Sequence, residues 1–73
     1  MPTSTLVTVR LNGETRDVPM GWTLSTLLTD LGLDARLIVV ERNREIVRDR
    51  NAFDEVTLLD GDVLELVHFV GGG

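Results

Sequence analysis

The sequence contains no cysteine. No disulfide can staple the fold, a composition that suits a reducing compartment. No thiol is available to carry sulfur as a persulfide or to attack as a nucleophile. Lysine is missing too, all seven basic residues being arginine. The chain therefore presents no ε-amine that could receive another protein's terminus as an isopeptide. His68 is the only imidazole, and one histidine without cysteine does not make a zinc-type ligand set. No apolar run approaches the roughly 18 residues that a membrane span needs. Residues 1–10 lack the basic start and long apolar stretch of a secretory signal. Positive charge is also short, with seven arginines against twelve Asp and Glu and a net charge of −5. Neutralising a phosphate backbone requires the opposite balance, so nucleic acid is not an expected partner. A cytoplasmic protein is expected, steered by its acidity toward a basic patch on a partner.

What is present is one small domain of 73 residues. Chains of this size bury only about 60% of their unfolded surface, so the core has to be well packed. Thr5 to Leu11 reads as a strand, with Val7, Val9 and Leu11 on one face and Thr8 and Arg10 on the other. Asn12-Gly13 tolerates the positive φ of a type I′ hairpin turn. Glu14 to Val18 returns as the second strand, and Pro19 ends it by removing a ladder donor. Leu24, Leu27, Leu28 and Leu31 then fall on one helical stripe. Thr23 is placed as N-cap, with Trp22 before it positioned to staple onto Leu27. Gly32 supplies the left-handed residue after the helix, and Leu33 closes back on Leu28 in a Schellman arrangement.

Leu37 to Val40 is a continuous β-branched and aliphatic run, the pattern of a strand covered on both faces. A turn near Asn43 leads to a short returning strand, Glu45-Ile46-Val47. Arg48 to Glu55 is polar apart from Ala52 and Phe53 and reads as a loop with one helical turn. Val56 to Leu59 leads into the turn Asp60-Gly61-Asp62, and Val63 to Val70 forms the last strand. This order predicts an α+β roll, a mixed sheet of four to five strands packed on one main helix. The C-terminal strand lies in the middle of the sheet. A right-handed crossover from the hairpin through the helix places the next long strand parallel to the first. The leucine stripe and the inner sheet face form the core.

The chain runs from its final strand into Val70-Gly71-Gly72-Gly73. Without a Cβ, glycine lets the backbone approach a partner closely. Fully stretched, these four residues reach roughly 13–14 Å, enough to enter an active-site channel on another protein. Taken alone, the triplet favours a frayed end, and the domain it is attached to shifts the balance. With no thiol in the chain, the terminal carboxylate is the group on which an activated moiety would sit.

Element order, length and tail together resemble the β-grasp, ubiquitin-like sulfur carriers, most closely the ThiS-like carriers of thiamine biosynthesis. The likeness covers essentially the whole chain. It is carried by Leu11-Asn12-Gly13-Glu14, by Thr23-Leu24 with Leu27-Leu28, and by Val40-Glu41-Arg42-Asn43. The Asp60-Gly61-Asp62 turn and Val67-His68-Phe69-Val70-Gly71-Gly72-Gly73 complete it. The family's tail is a diglycine and here there are three glycines, so register makes Gly73 the reactive end and Gly71 an extra spacer. The resemblance implies a β-grasp domain over residues 1–70 and a glycine tail over 71–73. It also implies a carrier cycle in which the chain is a protein co-substrate and not an enzyme. A ubiquitin-activating-like adenylyltransferase consumes ATP to adenylate Gly73, and no cofactor is held by the carrier itself. Sulfur drawn from cysteine through a desulfurase gives the thiocarboxylate, and thiazole synthase receives the sulfur. Carriers for molybdopterin synthesis or tRNA thiolation share this chemistry, and a non-covalent β-grasp adaptor shares the fold alone.

Alternation in the last strand puts Val67 and Phe69 on one side and Leu64, Leu66, His68 and Val70 on the other. Core packing is expected of Leu64 and Leu66, which leaves Val67, Phe69 and Val70 as candidates for partner docking near the tail. Each of these is also an ordinary core residue type. His68 reads as structural or solvated in preference to a general base, and Trp22 as the helix staple. Arg42, Arg44, Arg48 and Arg50 read as a solvated face, and Asp60 and Asp62 as turn formers.

Overall fold

The computed structural model describes residues 5–68. Strands β1 (Leu6–Leu11) and β2 (Glu14–Pro19) precede helix α1 (Leu24–Asp30). A 3₁₀ turn at Ala35–Leu37 enters β3 (Ile38–Arg42), which is followed by β4 (Glu45–Ile46). A second 3₁₀ segment at Arg50–Glu55 leads toward β5 (Val63–His68). The five strands form one sheet in the order β2-β1-β5-β3-β4, with β5 central as expected.

The hairpin closes at the predicted turn with Leu11 facing Glu14, and its pairing runs to Leu6↔Pro19, one residue past the expected strand end. Asn12 and Gly13 both have positive φ, 49° and 85°, the conformation that matches the twist of the flanking strands. Thr23 caps α1 by accepting from the Thr26 N–H at 3.3 Å. At the other end Gly32 has φ 73°, and its N–H donates to the Thr29 carbonyl at 3.0 Å while that of Leu33 donates to Leu28 at 2.9 Å. These two bonds are the Schellman pair. Leu24, Leu27 and Leu28 are buried and Leu31 packs half-buried beside them. Each fully buried leucine contributes on the order of 1.5–3 kcal/mol.

Two expectations for β3 are corrected. It does not run parallel to β1: the strand parallel to β1 is β5, and β3 lies beyond β5 and antiparallel to it. The chain returns to the direction of β1 only after the β3–β4 hairpin has reversed it, so the parallel crossover closes at β5. Nor is β3 covered on both faces. Ile38 and Val40 are buried, but Val39 is half-buried and Leu37 belongs to the preceding 3₁₀ turn and is exposed. The helix covers one face of the sheet and leaves the other open.

The core also reaches beyond the two predicted layers, because Phe53 and Leu58 are fully buried in it. The Leu24 N–H donates to the Val56 carbonyl at 3.0 Å and the Leu58 N–H to the Trp22 carbonyl at 2.8 Å. These bonds hold the Phe53–Leu58 stretch against the start of α1. Trp22 packs half-buried on the core from this end. Among the described residues no helix is long and apolar enough to cross a membrane.

Candidate functional site

The region that matters is the C-terminal part of β5. As the central strand, β5 is held by β1 through Arg10↔Val63 and Leu11↔Leu64. On its other edge β3 pairs with it from Arg42↔Leu64 to Ile38↔His68. β5 is thus paired on both edges at its start and along β3 alone from Glu65 to His68. Phe69, Val70, Gly71, Gly72 and Gly73, expected as docking residues, tail and modification site, lie outside the described residues.

Val67 is the predicted docking residue that the structure does place. It is 57% exposed on the open face of the sheet, directly across from Val39 on β3. The same face carries Val63 and Ile46, both exposed, Ile46 standing across from Glu41. A shallow groove of about 150 Å³ runs beside Val39, Ile46 and Arg48. The face is thus an apolar strip with charged neighbours, Glu41 beside Glu65 and Arg10 beside Val63. The opposite side of β5 supplies the core, with Leu64 buried and Leu66 half-buried, as alternation predicts.

The turn that launches β5 is more than a reversal. Asp60 and Asp62 form it around Gly61, which has φ 89°, but their carboxylates also act at a distance. Asp60 Oδ1 accepts from the Thr8 backbone N–H at 2.7 Å. Asp62 is 5% exposed and accepts from Arg42 Nε at 3.0 Å, Asn43 Nδ2 at 3.1 Å and the Leu59 N–H at 2.8 Å. Burial pushes the Asp62 carboxyl up, but the bonds from Leu59, Asn43 and Arg42 outweigh it and hold the group below its ordinary value. Arg42 is therefore not part of a solvated face. Arg50 is engaged as well, donating to the carbonyls of Ala35 at 3.1 Å and Ile38 at 3.3 Å. Both arginines found acceptors on segments that sequence spacing does not bring together.

His68 is exposed at the mouth of a notch of about 350 Å³ between Asn12, Leu31, Leu33 and Leu66. Among the described residues that line this notch, His68 is the only titratable side chain. Among the described residues no cluster of His, Cys, Asp or Glu could hold a metal ion.

This mixed five-stranded sheet on a single helix is a β-grasp domain. The ThiS family matches residues 9–73, a span that takes in β5 and the glycines. The sulfur carrier protein ThiS of Bacillus subtilis is 47% identical over 51 residues, which cover 70% of this chain and 76% of that protein. The thiazole synthase of Paramagnetospirillum magneticum is 46% identical over 63 residues, or 86% of this chain and 19% of the relative. That of Magnetococcus marinus is 42% identical over 65 residues, covering 89% and 20%. The chain thus spans about a fifth of the length of the two thiazole synthases that it matches. Among solved structures, the crystal structure of the thiamine biosynthesis protein ThiS from Geobacter metallireducens superposes with a TM-score of 0.77 at 34% identity. It covers 92% of this chain and 100% of that one. The chain belongs to the ThiS family.

Proposed function

We propose that this chain is the sulfur carrier of thiamine biosynthesis, a protein co-substrate whose working group is the carboxylate of Gly73. The observation that carries this reading is the family match, which extends through Gly73. A free carboxylate is a poor acylating agent. Attack of a Gly73 oxygen on the α-phosphorus of ATP, on a cytoplasmic adenylyltransferase, expels pyrophosphate and leaves an acyl-adenylate. A sulfide equivalent, drawn ultimately from cysteine by a desulfurase, then attacks the acyl carbon and expels AMP, leaving the thiocarboxylate. Activation divides one hard substitution into two easier ones. The folded body docks and the tail of residues 71–73 is held near the reacting atom, so encounter becomes effectively unimolecular. Thiazole synthase is the proposed acceptor, a reading supported by the two thiazole synthases whose sequences match this domain. Val67 with Phe69 and Val70 is the proposed docking strip.

Intact mass spectrometry tests the reading. After incubation with ATP, a ThiS-type adenylyltransferase and sulfide, the protein should gain the mass difference between sulfur and oxygen, localised to Gly73. It should then lose that sulfur to thiazole synthase. An unchanged mass would mark a non-covalent adaptor. A thiocarboxylate that thiazole synthase cannot use would mark a carrier for another sulfur route.

A further inference from the structure

We propose that Asn12 is a positioning residue for the chemistry of the tail, acting through β5. The inference rests on the carrier reading above. Pairing between β1 and β5 ends at Leu11↔Leu64, yet β5 continues to His68. The Asn12 N–H donates to the Leu64 carbonyl at 2.9 Å, so Leu64 and then Leu66 turn their main-chain groups toward β1. At Asn12 the chain swings into the hairpin with φ 49°, and β1 has no further residue to offer. The Leu66 N–H instead donates to Asn12 Oδ1 at 2.7 Å. One side chain thereby replaces the strand residue that the turn removed.

The need for this tie is visible around it. Below the end of β5 lies the notch between Leu31, Leu33 and Ile38, with Asn12, Leu66 and His68 at its rim. Beyond Leu64, β5 is secured along one edge by β3 and along the other by this single hydrogen bond among the described residues. The position makes two demands at once: tolerance of a left-handed φ, and a side-chain acceptor of the right reach. Asparagine and aspartate meet both, whereas glycine meets only the first. A strand end held in the sheet meets a partner already ordered as far as His68. A loosened one must be ordered during docking, a cost that falls on KM and leaves kcat alone.

The test compares wild type, Asn12→Gly and Asn12→Asp. Amide hydrogen exchange by NMR reads the tie at Leu66, and ATP–pyrophosphate exchange with a ThiS-type adenylyltransferase reads the chemistry. Since glycine suits the turn, Asn12→Gly should fold and unfold at nearly the wild-type temperature. Its Leu66 amide should exchange about five- to tenfold faster, the worth of one net hydrogen bond. Its KM should rise by a similar factor at unchanged kcat, and Asn12→Asp should restore both. A wild-type KM in Asn12→Gly, a raised KM with Leu66 still protected, or no rescue by aspartate would each overturn the proposal. Wild-type protein that supports no pyrophosphate exchange would instead sink the carrier reading itself, and this inference with it.

Discussion

Arg42 donates from Nε to Asp62 Oδ2 across 3.0 Å, joining the end of β3 to the turn that starts β5. The carboxylate is buried and Arg42 is mostly so, with side-chain exposures of 6% and 26%. Asn43 completes the joint from both ends of its amide: Nδ2 donates to Asp62 Oδ1, and Oδ1 accepts from the Val63 N–H at 2.9 Å. Replacing the carboxylate strips the acceptor from three donors simultaneously. Asp62→Ala should lose about 2–4 kcal/mol of stability, the range for breaking a buried, hydrogen-bonded pair. Urea titration measures this, and a loss below about 1 kcal/mol would show that the joint contributes little.

The same carboxylate sets an acid limit. Its folded pKa lies below the ordinary value of 3.8, so the folded state binds the proton less readily than the unfolded chain. The resulting stability is fully present above the unfolded pKa of about 3.9 and is lost as pH falls through the folded value. Asp34, held at about 2 mainly by its side-chain bond with Arg36, acts with the same sign. Stability should be flat between about pH 5 and 7 and decline below about pH 4. Asp62→Asn should start less stable but decline less steeply. Equal acid slopes in the two proteins would assign the loss to other carboxylates.

Phe53 is 1% exposed at the centre of the core, although it lies in a polar stretch. Phe53→Ala should cost about 3–5 kcal/mol through lost transfer energy and the cavity left behind. For a domain of this size each kcal/mol lowers the midpoint by roughly 4–8 °C. A drop of only a few degrees would mean that the 3₁₀ segment collapses to fill the space.

What sequence made legible, and what it hid, divides by distance along the chain. The Asn12-Gly13 turn, the Thr23 cap and the Gly32-Leu33 helix stop are decided by neighbours, and each has the predicted geometry. The central position of β5 was also readable from the order of elements, and the alternation at Leu64 and Leu66 marked its core-facing side. The Asp62 joint was not, since its arginine and asparagine partners lie 20 and 19 residues away and Asp-Gly-Asp is already explained as a turn. Asn12 hid in the same way. Its turn role accounts for an asparagine, and nothing local announces a bond to Leu66, 54 residues on. Phe53 was masked by its polar surroundings, which describe the outside of a 3₁₀ turn and say nothing of the one residue facing inward.

The β3–β4 turn offers a gain in stability. Asn43 and Arg44 occupy it with φ 51° and 73°, between Arg42 and Glu45, which face each other in register. A left-handed conformation costs a residue with a Cβ roughly 1–2 kcal/mol. Glycine relieves that strain but loses more freedom on folding, about 0.4–1 kcal/mol. Arg44→Gly should therefore stabilise by about 0.5–1 kcal/mol, read as a higher unfolding midpoint. Destabilisation would reveal a contribution from the guanidinium that outweighs the backbone strain.

Docking should separate from folding at Val67. Its side chain is 57% exposed, so Val67→Glu removes little buried surface and should cost less than about 1 kcal/mol, mostly strand propensity. Leu64 on the opposite face of β5, fully buried, would not tolerate the same change, because a carboxylate would enter the core unpaired. If the open sheet face meets thiazole synthase, a charge opposite Val39 must be desolvated in the interface. Affinity should then fall by about tenfold or more while the unfolding midpoint holds. Calorimetric titration of wild type and Val67→Glu into thiazole synthase, alongside thermal melts, makes the comparison. Unchanged binding by a folded Val67→Glu protein would move the contact off this face.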